Sequence, residues 1–490
     1  MDYEPVIGME VHAELSTVSK MFCRCDARIF GATPNSHVCP VCLGLPGALP
    51  VVNRRAVEST IMTGLALHCQ VAVVSVFARK NYTYPDLPKG YQISQYEWPL
   101  CRDGWMEVML EGRLKRIGIT RAHLEEDTAK LTHVGEYSLV DFNRSGLPLL
   151  EVVTEPDMRS PEEARQYLVR LQQLLRYLGV STADMEKGAM RCEANISLRP
   201  AGAAGFGTKV EVKNLNSFRA VKLALDYEVA RQTAVLDEGG AVKQVTVGWD
   251  EDGGRTVVQR SKEYANDYRY FPDPDLPPME ISREWVEQIR SRLPELPDAK
   301  RERFVTAYGL DADKAAVLVQ ERQVADYYEE VVAAYRGLPG DAVPWISGEL
   351  FRLMRSQGIE IADVEVPAVA LADLLNLVDR GTINAGTAKT VLGKMFASGR
   401  PAQEIVDGEG LAQVSDAGAL AVPVDQVLAA NPDSVTRYRA GKTQILGWLM
   451  GQVMRETRGK ANPQLVRKLL QQRLQQPCVD IRDRKTENDK

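Results

Sequence analysis

Four cysteines lie close together near the N-terminus of a chain that has eight in 490 residues. Cys23 and Cys25 form a Cys-x-Cys pair, and Cys39 and Cys42 form a Cys-x-x-Cys pair, within residues 22–47. No secretory leader and no run of eighteen apolar residues is visible, so we expect a cytoplasmic protein with reduced thiols and no membrane span. Two such pairs indicate a structural zinc site with four thiolate ligands. The alternative is four unrelated small apolar residues.

A second group of side chains suited to chemistry is acidic and lies in segments with β-strand alternation. In VIGMEVHAEL, Glu10, His12 and Glu14 share one face of a strand. Other carboxylates share a strand face in the same way or interrupt apolar runs: Glu125, Glu151, Glu193 and Glu211. Oxygen ligands of this kind suit Mg²⁺, which commonly brings phosphates. The pattern favours a Mg–nucleotide site, although a sheet with one solvated face explains part of it equally well.

The segment RKNYTYPDLPKGYQISQY, residues 79–96, is the candidate cover for a nucleotide. Lys80 and Lys89 offer positive charge to phosphates, Tyr91 offers an aromatic face, and Ser94 and Gln95 end the segment with polar groups. No G-x-x-x-x-G-K-[ST] or G-x-G-x-x-G motif is present, so a P-loop or Rossmann site is unsupported. An ordinary tyrosine-rich loop is the alternative.

Strand and helix signals are distributed unevenly, which predicts an α+β chain with separate domains. Residues 1–270 are rich in short β-like runs, a proline-dense stretch follows, and short helices with Gly and Pro breaks come after it. We predict a sheet domain over 1–293, a helical domain over 294–407, a helical tail over 408–478 and disorder over 479–490. In the first domain, Ser160 and Pro161 should begin a helix that ends at Gly179.

The predicted tail is basic in a chain whose net charge is −6. The candidate contacts to nucleic-acid phosphates are Arg437, Arg439, Lys442, Arg458 and Lys460. A solvated basic surface is the alternative.

Several long motifs together resemble one family. They include YEPVIGMEVHAEL, CPVCLGLPGALPVVN, KNYTYPDLPKGYQISQY, RAHLEEDTAKL, DFNRSGLPLLEVVTEPDM, MRCEANISLRP and DYRYFPDPDLPP. In this order, from the N-terminus to about residue 476, they are similar to the B subunits of tRNA-dependent amidotransferases of the GatCAB type. The resemblance implies a glutamine-synthetase-like antiparallel cradle that carries the zinc knuckle, followed by a helical domain and a helical tail.

The resemblance also implies a reaction. ATP phosphorylates the side-chain carboxyl of a mischarged Asp-tRNA(Asn) or Glu-tRNA(Gln), and ammonia displaces the phosphate to leave an amide. Family positions map onto His12, Glu125 and Glu151 as a first Mg²⁺ set, and onto Glu10 and Glu211, with Glu193, as a second. Arg191 joins the first set as a catalytic residue that contacts phosphate.

The implied partners supply what this chain lacks. No glutaminase nucleophile is visible, so ammonia must come from another polypeptide. The resemblance implies that an amidase-type A subunit supplies it and that a small C subunit completes a heterotrimer. A non-discriminating aminoacyl-tRNA synthetase would supply the mischarged tRNA. The competing interpretation is a non-catalytic tRNA-binding scaffold, in which the acidic set is incidental.

Overall fold

The computed structural model describes residues 2–261, 268–413, 416–457 and 459–475. The chain divides into two compact units, Met1–Lys300 and Arg301–Lys490. In the described residues, a large sheet dominates the first unit and helices make up the second. This mixed order of sheet then helices was predicted, whereas the likeness to glutamine synthetase stays a prediction. The domain boundaries near residues 293 and 408 also stay predictions. The predicted disorder of residues 479–490 falls outside the described residues.

Nine strands form the large sheet, and seven short strands form small accessory sheets. The strands are β1 Tyr3–Glu14, β2 Gln70–Val71, β3 Val74–Ser75, β4 Ala78–Asn81, β5 Tyr91–Ser94, β6 Cys101–Leu110, β7 Arg113–Glu126, β8 Lys130–Val134, β9 Tyr137–Asp141, β10 Pro148–Thr154, β11 Met190–Pro200, β12 Val210–Leu215, β13 Val245–Asp250, β14 Arg255–Ser261, β15 Phe271–Pro272 and β16 Met279–Glu280. The order in the large sheet is β14-β13-β12-β11-β1-β10-β7-β6-β2. Among the described strands, β12 and β13 make the one parallel pair.

The large sheet has one apolar and one polar face because its strands alternate. On β1, Met9, Val11 and Ala13 are each 1% exposed and belong to the hydrophobic core, while Glu10 and His12 point to the other face. The predicted antiparallel hairpin of β11 and β12 is present. Alternation therefore places the ionisable side chains of several strands on one surface.

Sixteen α-helices occur in the described residues. They are α1 Arg54–Ala66, α2 Pro161–Tyr177, α3 Phe218–Asp237, α4 Arg283–Arg290, α5 Pro297–Tyr308, α6 Ala312–Leu318, α7 Arg322–Ala334, α8 Pro339–Pro344, α9 Phe351–Gln357, α10 Ala368–Asp379, α11 Ala385–Ser398, α12 Ala402–Gly408, α13 Ala417–Ala430, α14 Pro432–Arg439, α15 Ile445–Glu456 and α16 Pro463–Gln475. A π-helical turn, Trp345–Leu350, joins α8 to α9. Within the described residues, no helix has the length and hydropathy needed to cross a bilayer.

Helices α2 and α3 cover the apolar face of the sheet. As predicted, Ser160 caps α2, since its hydroxyl accepts a hydrogen bond from the backbone N–H of Glu163 at 3.2 Å. The leucines of one α2 face, together with Ala220, Val221, Ala224 and Leu225 of α3, belong to the same core cluster as β1 and β11. This packing leaves the polar face of the sheet open for a site.

The second unit has two separate clusters of buried apolar side chains in its described part. One spans Phe304 to Val406 and the other spans Leu420 to Leu474. The gap between these clusters falls near the predicted start of the tail.

Candidate active site and metal centres

A cavity of about 890 Å³ lies on the polar face of the large sheet, and we call it the acidic cavity. Its floor includes a row of directly paired residues from four neighbouring strands. His123 on β7 is paired with Glu151 on β10. Glu151 is also paired with His12 on β1, and His12 is paired with Arg191 on β11. The sheet order thus assembles side chains that are up to 179 positions apart in the sequence.

His12, Glu125 and Glu151 form the centre of the acidic cavity. The Nε2 atom of His12 is 3.1 Å from Glu151 Oε2 and 3.8 Å from Glu125 Oε2. One ligand atom from each residue lies within 4.8 Å of the others, as in a group able to hold a metal ion. Both glutamates are buried, at 3% and 6% exposure, so their charges need a cationic partner.

In this centre, the histidine and the glutamates stabilise each other's charged forms. Burial alone lowers the pKa of His12, but the hydrogen bond to Glu151 and nearby carboxylate charges raise it to about 9. Burial raises the pKa of Glu151, but the charge of His123 and the hydrogen bond from His12 hold it well below its ordinary value. A divalent cation would replace the imidazole proton as the balancing charge, since metal ligands bind deprotonated.

Polar side chains fix the position of Glu125. The hydroxyl of Ser94 donates to Glu125 Oε1 at 2.6 Å, and the amide of Gln92 donates to Oε2 at 3.1 Å. Burial lowers the pKa of Lys80, but the charges of Glu125, Tyr270 and Glu151 together outweigh this, raise the pKa and keep the ammonium charged. Lys80 and Gln95 both line the cavity.

A second acidic set lies on β1 and on the neighbouring strands β11 and β12. Glu10 accepts a hydrogen bond from Asn195 at 3.0 Å, Glu193 accepts one from Lys213 at 2.8 Å, and Glu211 accepts one from Thr246 at 2.6 Å. Burial first, then the charges of Glu151 and Glu193, raise the pKa of Glu10. All three glutamates line the acidic cavity.

Arg191 is also in the cavity, where it is held by a buried aspartate. Its guanidinium donates to Asp127 Oδ2 at 2.8 Å, and Arg144 lies 3.7 Å from the same oxygen. Two guanidinium groups therefore share one carboxylate at this side of the cavity. Their unshared donors suit an anion.

Lys89 and Tyr91 do not line the acidic cavity, unlike the other predicted nucleotide contacts Lys80, Ser94 and Gln95. They line a different cavity of about 240 Å³ beside the cysteines. The Lys89 ammonium is 2.7 Å from the buried carboxylate of Glu126, and the Arg79 guanidinium stacks on the Tyr91 ring at 4.2 Å. Alternation explains the separation, because Tyr91 and Ser94 are three positions apart on β5 and so face opposite sides.

The four cysteines do form one cluster. Their Sγ atoms lie within 4.8 Å of one another, and Cys42 Sγ is 3.8 Å from Cys39 Sγ. The thiol of Cys23, the backbone N–H of Cys39 and the Lys20 ammonium lower the pKa of Cys42 to about 5, against the effect of its burial. Lys20 is fully buried and also donates to the backbone oxygen of Ser145 at 2.8 Å.

The described tail residues are surface groups, with Arg437 and Arg439 on α14 and Lys442 and Lys460 in the connections before and after α15. Arg437, Lys442 and Lys460 are exposed, and Arg439, also exposed, donates to the backbone oxygen of Leu474 at 3.1 Å. Arg458 lies outside the described residues.

Sequence reasoning missed several residues of the acidic cavity. His123, Gln92, Asp127 and Lys213 all line it, and His123 Nε2 is 3.5 Å from Glu125 Oε1. His123 precedes Glu125 by two positions on β7, and Gln92 precedes Ser94 by two on β5, so strict alternation finds both. From alternation alone, Lys213 belongs to an ordinary solvated face of the sheet. In the structure, its ammonium donates a hydrogen bond to Glu193.

The fold and cavity define a class: an enzyme whose catalytic domain carries a histidine–carboxylate centre on the open face of a large sheet. Comparison with known proteins narrows this class. Residues 5–287 match the family model described as the GatB/GatE catalytic domain, and residues 326–474 match the GatB domain.

Curated relatives agree over nearly the whole chain. Two of them, from Moorella thermoacetica and Thermomicrobium roseum, are 55% and 56% identical over 97% of this chain and 100% of their own length. A third, from Carboxydothermus hydrogenoformans, is 52% identical over 96% of this chain and 99% of its own. All three are named as the B subunit of an aspartyl/glutamyl-tRNA(Asn/Gln) amidotransferase. This chain belongs to that GatB family.

Proposed function

We propose that the chain is the transamidating subunit of a glutamine-dependent ligase that acts on Asp-tRNA(Asn) or Glu-tRNA(Gln). In this reaction ATP phosphorylates the side-chain carboxyl of the attached amino acid, and ammonia displaces the phosphate to form the amide. The observation that carries the proposal is the His12–Glu125–Glu151 centre, whose two glutamates are buried, in a chain of the GatB family. A carboxylate is a poor electrophile, and phosphorylation gives it a leaving group.

The cavity contains the charges that the first step needs. Two anions must approach each other, and Mg²⁺ at His12, Glu125 and Glu151, with a second ion at Glu10, Glu193 and Glu211, would supply positive charge and alignment. Lys80 would stabilise the acyl phosphate from one side. On the other side, Arg191 and Arg144 would hold the substrate's anionic groups. Asp127 fixes the position of Arg191, and the backbone oxygens of Thr128 and Ala129 fix that of Arg144.

The cysteine cluster would hold Zn²⁺ as a structural ion. Four thiolates leave no open coordination position, so the zinc would order the loop and take no part in the reaction. Lys20 would offset part of the negative charge of the four thiolates, which explains why a lysine is fully buried there.

Ammonia and substrate would arrive through partners. An amidase-type A subunit would release ammonia from glutamine, a small C subunit would complete the heterotrimer, and a non-discriminating synthetase would supply the mischarged tRNA. A test is ADP formation by the purified complex with and without mischarged tRNA. We expect ADP formation to depend on that tRNA and on Mg²⁺. Formation without any tRNA would indicate a small-molecule kinase, and none under any condition would favour the non-catalytic scaffold.

The tail would bind tRNA outside the acceptor end, mostly through phosphates. Replacing Arg437, Lys442 and Lys460 by Gln should weaken tRNA binding and make its dependence on log[salt] shallower by about 2 to 3. The matched control is Arg473→Gln, because Asp425 already neutralises Arg473 at 2.8 Å, so its loss should matter less. Equal salt slopes for the triple variant and the wild type, measured by filter binding, would show that the tail surface is merely solvated.

A further inference from the structure

The loop between β9 and β10, residues 142–147, packs against the cysteine cluster on one side. The backbone N–H of Met21 donates to the oxygen of Gly146 at 2.8 Å, and the hydroxyl of Ser145 donates to the backbone oxygen of Cys42 at 3.3 Å. A Cβ added to Gly146 would lie 3.4 Å from the Cβ of Cys42. The loop therefore contacts a cysteine of the cluster directly, and we call it the connecting loop.

A buried asparagine attaches the connecting loop to the cluster region a second time. Asn143 is 1% exposed, its Oδ1 accepts a hydrogen bond from the backbone N–H of His37 at 2.7 Å, and its Nδ2 donates to the backbone oxygen of Thr33 at 2.8 Å. Thr33 and His37 lie between the two cysteine pairs in the sequence. Asn143 near the start of the loop and Gly146 near its end are therefore both fixed to this region.

The other side of the connecting loop forms part of the wall of the acidic cavity. The backbone N–H of Gly146 donates to the oxygen of Asp127 at 2.9 Å, and that of Asp127 donates to the oxygen of Leu147 at 2.8 Å. Arg144 belongs to the loop itself, and its Nε donates to the backbone oxygen of Thr128 at 2.9 Å. Both Arg144 and Asp127 line the cavity. A shift of the connecting loop would therefore move two charged groups of the cavity.

Lys20 contacts the cysteine cluster and the connecting loop at the same time. Its ammonium lies 3.8 Å from Cys42 Sγ and donates to the backbone oxygens of Ser145 at 2.8 Å and Phe142 at 3.3 Å. The residue is 0% exposed, and a buried ammonium needs compensating negative charge. Carbonyl dipoles supply part of this compensation. Zinc-bound thiolates would supply the rest, because the charge of four thiolates exceeds that of one divalent ion.

We infer that Lys20 is a positioning residue that couples the cysteine cluster to the anion-binding arginines of the acidic cavity through the connecting loop. The inference rests on the proposed function, in which Arg144 and Arg191 hold the substrate's anionic groups. A zinc-loaded cluster keeps its thiols deprotonated, and so keeps the charge that holds Lys20 in place. Lys20 in turn holds the connecting loop, which carries Arg144 and supports Asp127, and Asp127 holds Arg191.

Such a coupling must be reciprocal. If the zinc-loaded cluster favours the loop position that binds substrate, bound substrate favours retention of zinc by the same factor. A contact that only stabilised the fold would not link the two sites in this way. The coupling can therefore be measured at the cluster as well as at the cavity.

The first test is a double-mutant cycle in the complete complex with its partner subunits, read as kcat/KM for ADP formation with mischarged tRNA. Lys20→Met keeps the length of the side chain and removes its charge and its donors. It should lower kcat/KM about tenfold in the wild-type background but no more than about threefold in an Arg144→Met background, because most of its effect passes through Arg144. A variant that merely destabilised the fold would cause the same loss in both backgrounds.

The matched control is Arg24→Met. It removes an exposed positive charge that lies between two cysteines of the cluster and belongs to neither the connecting loop nor the cavity. We expect it to leave kcat/KM unchanged. A loss equal to that of Lys20→Met would mean that charge near the cluster matters and that the contact with the loop does not, which would contradict the inference.

The second test measures how fast the complex gives up zinc to a chromogenic zinc chelator. Lys20→Met should still contain zinc, since the four thiolate ligands remain. Mischarged tRNA should slow the release of zinc about threefold or more from the wild-type complex and should not slow it from Lys20→Met. Equal protection in both proteins would show that the tRNA only shields the cluster from the chelator.

A milder variant keeps the inference testable if Lys20→Met does not assemble. Ser145→Ala removes one hydrogen bond between the connecting loop and Cys42. It should lower kcat/KM about threefold in the wild-type background and have almost no effect in the Arg144→Met background. Equal losses in both backgrounds, or an active wild-type complex without zinc, would overturn the inference and leave the proposed function intact. A wild-type complex that forms no ADP overturns the proposed function itself.

Discussion

The two candidate metal centres of the first unit are built in opposite ways. The cysteine cluster takes its four ligands from twenty consecutive positions, 23–42, and two tight pairs bring them together. The His12–Glu125–Glu151 centre takes its ligands from β1, β7 and β10, which become neighbours only in the folded sheet. The first is a property of a local segment, and the second is a property of sheet topology. They should therefore respond differently to mutation.

The largest effect of mutation is expected at the His12–Glu125–Glu151 centre. Glu125→Gln and Glu151→Gln should each lower the kcat of ADP formation and of amidation roughly a hundredfold or more, because each removes a charge that holds the metal and the phosphate. Glutamine hydrolysis by the partner should fall less, since it uses another site. Glu136→Gln, at an exposed turn, is the control. Near-normal amidation by both cavity variants would refute the metal assignment and favour the scaffold interpretation.

At the cysteine cluster, mutation should affect stability more than catalysis. Cys39→Ser should lose the zinc and lower the Tm of the first unit by roughly 5 °C or more, because the loop's order depends on its ligand bonds. Amidation measured below that Tm should fall less than in the glutamate variants. Cys192→Ala, a buried cysteine outside the cluster, should keep the zinc. Wild-type protein with no zinc by metal analysis and four freely titrating thiols at these positions would contradict the prediction.

The smallest effects are expected from substitution of the two lysines in residues 79–96, and the two substitutions should have different effects. Lys80→Met should lower kcat about tenfold, because the ammonium lies among the central carboxylates. Lys89→Met should change the KM for ATP less than threefold and mainly lower the Tm, because it leaves the buried Glu126 unpaired. The measurements are kcat and the KM for ATP, determined separately for each variant, and the Tm of Lys89→Met. A large rise in the KM of Lys89→Met would restore Lys89 as a phosphate contact.

The same contrast explains what the sequence could predict. The spacing of the cysteines and the alternation in β1 contain enough information to predict the cluster and the shared face of Glu10 and His12. Alternation also predicts that Lys80 and Ser94 face away from Arg79 and Tyr91, but only once the strand bounds of β4 and β5 are known. The partners of β1, by contrast, were not predictable, because register between segments more than a hundred residues apart depends on tertiary packing.

The parallel pair β12–β13 was also beyond sequence reasoning. The hairpin of β11 and β12 followed from the short glycine-rich turn between two alternating runs. Pairing β13 with β12 requires knowing that α3 returns the chain in the same direction.

The central place of β1 has a consequence for how the protein is made. It leaves the ribosome well before its neighbours β10 and β11, which begin at residues 148 and 190. At the usual speed of translation, its unpaired backbone and apolar face would wait on the order of ten seconds for a partner. During that time the segment around Ile7, Met9 and Val11 is a natural client for chaperones. Synonymous changes that slow translation between residues 15 and 200 should therefore lower the yield of soluble protein without altering a single atom of the finished enzyme.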